Sequence, residues 1–332
     1  CIPAFSETLY ILMQGTGVGF SVERRFVDNL PAIEPLLEDR TLHHTVADSA
    51  EGWADSLRIG LNAWWCGAET VFDFSNVRLS GTRLNTKGGR ASGPEPLIRL
   101  LSFAKETVQA AQGRKLSTLE VHDIMCTIGE VVMAGGVRRS ALISFSDPDD
   151  KDMQTAKSWS LGDFPACRYM ANNSVFWTEK PDRETFYREW EALQASGSGE
   201  RGMFRVSPER ARERGTTDMR SNPCGEILLR YKEATNPWTG AGGGGQLCNL
   251  SCAVMRKEDT IETFSEKVRL AAWLGTIQAS FTHFPYLRPA WKELCDEDRL
   301  LGVDITGQCD NPALANDIDA LALFNRVART SA

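Results

Sequence analysis

Apolar side chains recur at the spacing of an amphipathic helix in several parts of the chain. Helices are therefore predicted over residues 2–13, 48–65, 96–112, 117–132 and 184–193, and in a segment that follows Thr260 and reaches Phe281. Shorter apolar runs predict strands at 18–22, 42–47, 141–145 and 300–305. Helices that alternate with strands in this way are typical of an α/β protein.

The same helix signals predict which side chains face the core. Asp48 with Glu51, and Ser117 with Glu120, have the spacing of capping boxes at helix starts. The side chains predicted to point inward are Trp53, Leu57, Leu61 and Trp64 after the first box, Phe186, Trp190 and Leu193 in the helix 184–193, and Leu270, Leu274, Ile277 and Phe281 in the last helix. We expect this last helix to be long and buried.

Composition narrows the class of protein. The chain has 332 residues, of which 42% are hydrophobic and 24% charged, the balance of a soluble globular protein. Its net charge of -7 leaves no basic surplus to neutralise phosphates, which argues against a general nucleic-acid partner. No apolar run has the length of a membrane span, and no signal peptide opens the sequence. We expect a cytoplasmic protein that binds neither nucleic acid nor membrane.

The nine cysteines are scattered and odd in number, which favours thiols over a disulfide framework. Cys248 and Cys252 have the spacing of half a zinc site, but no second Cys/His pair stands at matching spacing, so no metal site is predicted. Cys252 is expected in the core. Because the chain begins at Cys1 and ends without a stop-like tail, we expect a piece of a longer protein.

Residues 220–226 read Arg-Ser-Asn-Pro-Cys-Gly-Glu, and this stretch combines three chemically active side chains. Asn222, Cys224 and Glu226 occupy alternate positions, so an extended or looped backbone projects them to one side. An amide can hold hydroxyl groups, a thiol can act as nucleophile or hydrogen-atom donor, and a carboxylate can move protons. Spacing alone favours a different interpretation, in which Cys224 is a small buried apolar residue near a turn.

The motif Ser-Asn-Pro-Cys-Gly-Glu at 221–226 resembles the finger loop of ribonucleotide reductases, and its Pro-Cys-Gly form resembles the adenosylcobalamin-dependent class II. The resemblance runs in patches from Phe5 to Gly307. It implies a ten-stranded α/β barrel with a central finger loop, incomplete at both ends. We expect one catalytic domain over 1–332, with an effector-region insertion around 30–115.

The resemblance also implies roles for the motif. Cys224 would become the thiyl radical, Glu226 would accept the proton of the 3'-hydroxyl, and Asn222 would hold the ribose hydroxyls, with Ser221 in the substrate site. Cys248 resembles one half of the dithiol that supplies two electrons and becomes a redox-active disulfide. Its partner cysteine is expected upstream of Cys1.

Two glycine-containing segments leave open alternatives. The turn 15–22 is not a dinucleotide fingerprint, and a tight turn without ligand accounts for it equally well. By resemblance, Gly17 and Gly19 lie at the barrel mouth and allow backbone to approach substrate or cofactor. The loop with Gly136, Arg138 and Arg139 is either a phosphate-binding fork or a charged surface turn. By resemblance it connects the effector site to the substrate site.

The implied function is reduction of ribonucleotides to 2'-deoxyribonucleotides for DNA synthesis. The implied cofactor is adenosylcobalamin, for which no binding residue is identified, and the implied partners are a ribonucleotide substrate, a deoxynucleotide effector and a thioredoxin-like or dithiol reductant. Two alternatives remain. One is another radical enzyme of the same barrel, whose glycyl-radical segment the sequence does not show. The other is an inactive or nucleotide-binding fragment.

Overall fold

A computed structural model describes residues 1–37, 39–84, 88–134 and 141–332. These residues divide into two units, described separately below. Unit 1 consists of residues 1–228 and 233–242, and unit 2 consists of residues 229–232 and 243–332. The single catalytic domain over 1–332 and the insertion around 30–115 stay predictions.

A parallel sheet organises unit 1. Its strands are β1 (Gly17–Ser21), β4 (Ala141–Ser146), β5 (Ala171–Phe176) and β6 (Gly202–Phe204), in that spatial order. A second, two-stranded parallel sheet pairs β2 (Thr41–Thr45) with β3 (Glu69–Asp73). The short strand β7 (Arg220–Ser221) begins the motif, and the short strand β8 (Leu228–Leu229) follows it. The helices of unit 1 are α1 (Pro3–Met13), α2 (Arg24–Val27), α3 (Ala50–Trp65), α4 (Glu95–Ala110), α5 (Thr118–Ala134), α6 (Lys151–Thr155), α7 (Arg183–Ser196) and α8 (Pro208–Arg214).

The two faces of the four-stranded sheet have different partners because side chains alternate along each strand. On one face, Leu142, Ala171 and the partly buried Phe20 join the core formed with α1, α3, α4 and α5. On the other face, Ile143 and Phe145 belong to a cluster that also contains Met219, just before the motif. The motif strand β7 therefore lies on the side of the sheet opposite the helical core.

Two predicted helices are confirmed in detail. In α3, Leu57, Leu61 and Trp64 are buried, and Trp53 packs against the same core. The N-cap is Ser49, whose hydroxyl accepts a hydrogen bond from the Gly52 amide, one residue after the predicted cap. The capping box before α5 forms as predicted: the Ser117 hydroxyl accepts from the Glu120 amide and the Glu120 carboxylate accepts from the Ser117 amide.

Unit 2 is built around a pair of parallel strands. β9 (Asn249–Val254) pairs with β10 (Leu301–Thr306), and the helices are α9 (Ile261–Ala279), α10 (Pro289–Asp298), α11 (Pro312–Ala315) and α12 (Ile318–Ser331). Phe264 of α9 and Phe324 of α12 meet edge to face, with ring centroids 4.8 Å apart. They form part of a small core that includes Met255 and Val268.

The predicted inward face of α9 is wrong. The side chains expected in the core are exposed: Leu270 and Leu274 at 52%, Ile277 at 58% and Phe281, beyond the helix end, at 71%. Smaller residues such as Ala271, Ala272 and Gly275 face inward, because the helix packs closely against the strands. The Ser251 hydroxyl of β9 reaches the Ala271 carbonyl oxygen at 2.8 Å, which leaves no room for a large side chain there.

The predicted inward face of α7 is also wrong. Of the three side chains predicted to point inward, Phe186 and Trp190 are exposed and Leu193 is half-buried, whereas Glu189 is buried. The cause is electrostatic: Arg201, only 1% exposed, donates hydrogen bonds of 2.7 and 3.0 Å to the Glu189 carboxylate. A buried guanidinium needs a carboxylate partner, so the helix turns its acid inward.

The α/β class is confirmed, and closure into a ten-stranded barrel stays a prediction. Among the residues that the structure describes, no helix is long and apolar enough to cross a membrane. The same residues contain no group of three or more His, Cys, Asp or Glu side chains that could hold a metal ion.

Candidate active site

The motif forms a loop with a buried base, Arg220–Ser221, and an exposed tip, residues 224–226. Between them the chain makes a turn in which the Gly225 amide donates to the Asn222 carbonyl at 3.0 Å. Pro223 occupies the second position of this turn, where its fixed backbone angle is favourable. The backbone is therefore a turn, not the extended strand that the alternating pattern allowed.

The turn brings Asn222 and Glu226 together. The Asn222 Nδ2 donates to the Glu226 Oε1 at 2.8 Å, while its Oδ1 accepts from the Ile227 amide at 3.0 Å and from the Ser221 hydroxyl at 3.2 Å. Both polar ends of the amide are thus occupied, which fixes its orientation. The carboxylate is held on the same loop as the thiol of Cys224, as the predicted chemistry requires.

The tip itself is open to solvent. Cys224 and Glu226 are exposed, and Asn222 is half-buried. A protein radical needs a dry environment that excludes side reactions. The described residues of this chain do not by themselves supply that shielding at the tip.

Glycines of β1 make room for the loop base. A Cβ atom on Gly19 would lie 1.9 Å from the Ser221 carbonyl oxygen, and one on Gly17 would lie 2.9 Å from the Pro223 ring. Only a residue without a side chain permits these approaches. The structure thus shows Gly17 and Gly19 contacting the motif itself; their contact with substrate stays a prediction.

Comparison with known proteins shows which reductases the chain is similar to. No protein-family model matches the chain. An adenosylcobalamin-dependent ribonucleoside-triphosphate reductase from Euglena gracilis is 32% identical over 89% of this chain and 39% of its own length. One of the same name from Lacticaseibacillus paracasei is 27% identical over 89% of this chain and 43% of its own length.

The chain is a homologue of adenosylcobalamin-dependent ribonucleotide reductases. It spans less than half the length of these two relatives. A crystal structure of a B12-dependent (class II) ribonucleotide reductase has the same fold, with a TM-score of 0.63 and 22% identity over 91% of this chain and 45% of that one. This similarity confirms the α/β fold that the resemblance implied, whereas the ten-stranded barrel with its central finger loop stays a prediction.

Other predicted reductase residues have different outcomes. Ser221 is buried, and its hydroxyl bonds to the neighbouring Asn222. Cys248 is half-buried immediately before β9 in unit 2, and its redox role stays a prediction. Cys252, expected in the core, is exposed because the alternation along β9 points Ser251 and Ala253 inward instead. The predicted effector-loop residues Gly136, Arg138 and Arg139 lie outside the described residues.

Sequence reasoning missed one residue that holds the loop of this reductase homologue. Asn172 of β5 donates from Nδ2 to the Pro223 carbonyl oxygen at 2.7 Å. That carbonyl belongs to the peptide bond that joins Pro223 to Cys224. No local signal distinguished it: β5 reads Ala-Asn-Asn-Ser-Val-Phe, so Asn172 is one of three consecutive polar residues and is exposed.

Proposed function

We propose that the complete protein is an adenosylcobalamin-dependent reductase that converts ribonucleoside triphosphates to 2'-deoxyribonucleotides for DNA synthesis. The observation that carries this proposal is the loop tip, where a carboxylate held by an amide shares a turn with an exposed thiol. The triphosphate preference rests on the names of the relatives.

Each motif side chain has a part in this reaction. As a thiyl radical, Cys224 takes the hydrogen atom from C3' of the ribose and later returns it. Glu226 accepts the proton of the 3'-hydroxyl, and Asn222 holds the carboxylate in place while it contacts the ribose hydroxyls. The 2'-hydroxyl then leaves as water.

The reduction also requires two electrons from outside the sugar. We assign one thiol of the electron donor to Cys248, so that the net reaction converts two thiols and a ribonucleotide into a disulfide, a deoxyribonucleotide and water. A thioredoxin-like protein or a small dithiol restores the thiols by exchange. A deoxynucleotide effector completes the proposed set of partners, and the proposed location is the cytoplasm.

The described residues leave the tip of the loop open to solvent. A Cβ added to Gly225 would meet nothing within 4 Å, so the side of the loop next to Cys224 is open. When bound, adenosylcobalamin supplies an organic radical through homolysis of its cobalt–carbon bond. No described residue is assigned to hold the corrin ring.

The exposure of Cys224 favours a second proposal for the chain taken alone, that of an inactive piece. A thiyl radical at an exposed position would be quenched, so turnover is expected only from the complete protein.

The test is deoxynucleotide formation by the complete protein with a dithiol reductant, with and without adenosylcobalamin. We expect product only when the cofactor is present, and none from the 332-residue chain alone. Cofactor-independent turnover would contradict the assigned class, and no turnover by the complete protein under any condition would contradict the reaction.

A further inference from the structure

A buried ion pair lies at the base of the motif loop. The Arg220 side chain is only 7% exposed, and that of its partner Glu23 only 5%. The Arg220 Nε donates to the Glu23 Oε2 at 3.0 Å, and Nη2 donates to the same oxygen. Burying two charges carries a large desolvation cost, so such a pair is poor evidence for stability alone.

Further contacts fix the direction of the guanidinium. Its central carbon lies 3.5 Å from the centroid of the Phe176 ring, at the end of β5. Its Nη1 donates to the Met219 carbonyl at 2.9 Å. The Ser21 hydroxyl, at the end of β1, donates to the Glu23 Oε2 at 2.7 Å. The pair therefore ties the start of the motif to the ends of two strands of the sheet.

The backbone between this ion pair and the thiol of Cys224 is tightly restrained. Ser221 and Pro223 are buried, and the Ser221 carbonyl oxygen occupies the space where Gly19 lacks a side chain. The Pro223 carbonyl is held by Asn172, and the turn closes with its own hydrogen bond. A shift of the guanidinium would consequently move the peptide that carries Cys224.

We propose that Arg220 and Glu23 are positioning residues for the thiol of Cys224, an inference that rests on the proposed reductase function. They set the distance and direction of the loop relative to the sheet. Misplacement of a reacting group by about 1 Å can lower a rate on the order of 100-fold.

The chain offers a matched control. Arg201 and Glu189 form a second buried pair in unit 1, with side chains 1% and 5% exposed. The other partners of Arg201 are Ser146, Asp147 and Pro148, at and after the end of β4. Glu189→Gln therefore removes a carboxylate of equal burial from a pair that is not bonded to the motif loop.

The experiment compares Glu23→Gln with Glu189→Gln in the complete protein. For Glu23→Gln we expect kcat to fall by about 10- to 100-fold with KM changed by less than about 2-fold. We also expect amide hydrogen exchange over residues 222–227 to become faster by about 10-fold. For Glu189→Gln we expect no change in the exchange of this segment or in kcat.

Two further variants separate positioning from general stability. Arg220→Lys keeps the charge but loses the planar fork, so it should recover only part of the activity. Replacing both partners with Glu23→Gln and Arg220→Met should restore thermal stability but not kcat. If the double variant regains kcat together with stability, the pair is merely structural and the proposal is wrong.

Unchanged exchange over 222–227 in Glu23→Gln would also overturn the proposal, as would an equal loss of kcat in Glu189→Gln. Failure of the reductase function is distinguishable. If the unsubstituted complete protein forms no deoxynucleotide, the proposed reaction is wrong, and the exchange comparison alone decides the positioning role.

Discussion

The base and the tip of the motif loop differ in nearly every physical respect. The base is buried. The ion pair of Arg220 with Glu23, the contact of Arg220 with the Phe176 ring and the close packing of Ser221 against Gly19 hold it against the sheet. The tip is exposed, and the bond between Asn222 and Glu226 orders its side chains. The loop thus separates restraint from reactivity: contacts that restrain the thiol lie at one end, and the groups with proposed chemistry lie at the other.

The largest expected effect concerns the tip. Glu226→Gln keeps the shape of the side chain but removes its basicity, so kcat of the complete protein should fall by about 100- to 10,000-fold. The thermal midpoint should stay unchanged because the side chain is exposed. Glu209→Gln, on exposed α8, is the control. A variant that retains wild-type kcat would contradict the assignment of Glu226 as base.

The next effect concerns the base. Gly19→Ala places a Cβ within 1.9 Å of the Ser221 carbonyl oxygen, so the backbone must move. We expect a loss of about 3 kcal/mol or more in the free energy of unfolding, measured by urea denaturation. Gly17→Ala should cost less because its neighbour is the Pro223 ring, at 2.9 Å. Equal and small losses would show that the base is not tightly packed.

A third prediction concerns the carboxylate of Asp123, on α5 at the opposite face of the sheet. Burial, the largest influence, would raise the pKa of Asp123, but hydrogen bonds from His122 and Arg168 outweigh it and lower the pKa. Because the folded-state pKa lies below the unfolded value of about 3.9, this carboxylate stabilises the fold above that pH and loses its contribution as pH falls through the folded value.

Asp123→Asn should therefore reduce the free energy of unfolding at neutral pH and flatten its decline as the pH falls below about 4. Urea denaturation across this range measures both. The variant should leave hydrogen exchange over 222–227 unchanged, since Asp123 lies on α5 behind the sheet. An unaltered acid profile would contradict the role of the ion pair with Arg168.

The smallest expected effect concerns Asn172, which bonds to the loop between its base and its tip. Asn172→Ala removes one hydrogen bond to the Pro223 carbonyl, at an exposed position where water can replace it. The cost in stability should be about 0.5–1.5 kcal/mol. Asn316→Ala, which removes one exposed hydrogen bond of 2.7 Å to the Pro312 carbonyl in unit 2, is the matched control that leaves the motif untouched. A loss above about 3 kcal/mol would show that Asn172 belongs to the base instead.

How much of the fold could be predicted depended on the type of packing. Helices α3 and α5 bury large apolar side chains, so periodicity found their faces. In α9 the inward positions are small, and in α7 the inward residue is an acid paired with Arg201. A pattern that weights large apolar residues points to the wrong side in both helices.

The motif chemistry could be predicted because it lies within a short stretch, and Asn222 and Glu226 do meet. The contacts of the base could not. Glu23 and Arg220, like Gly19 and Ser221, are about two hundred residues apart in sequence, and only the folded sheet brings them together. No local pattern carries that information.

The central claim is that the exposed sulfur on this anchored loop is the radical site. The most direct test is Cys224→Ser in the complete protein, assayed for deoxynucleotide formation and for nucleotide binding, with Cys252→Ser as the exposed-thiol control. We predict no deoxynucleotide from Cys224→Ser with nucleotide binding intact, and normal turnover from Cys252→Ser. Turnover by Cys224→Ser at the rate of the unsubstituted protein would contradict the claim.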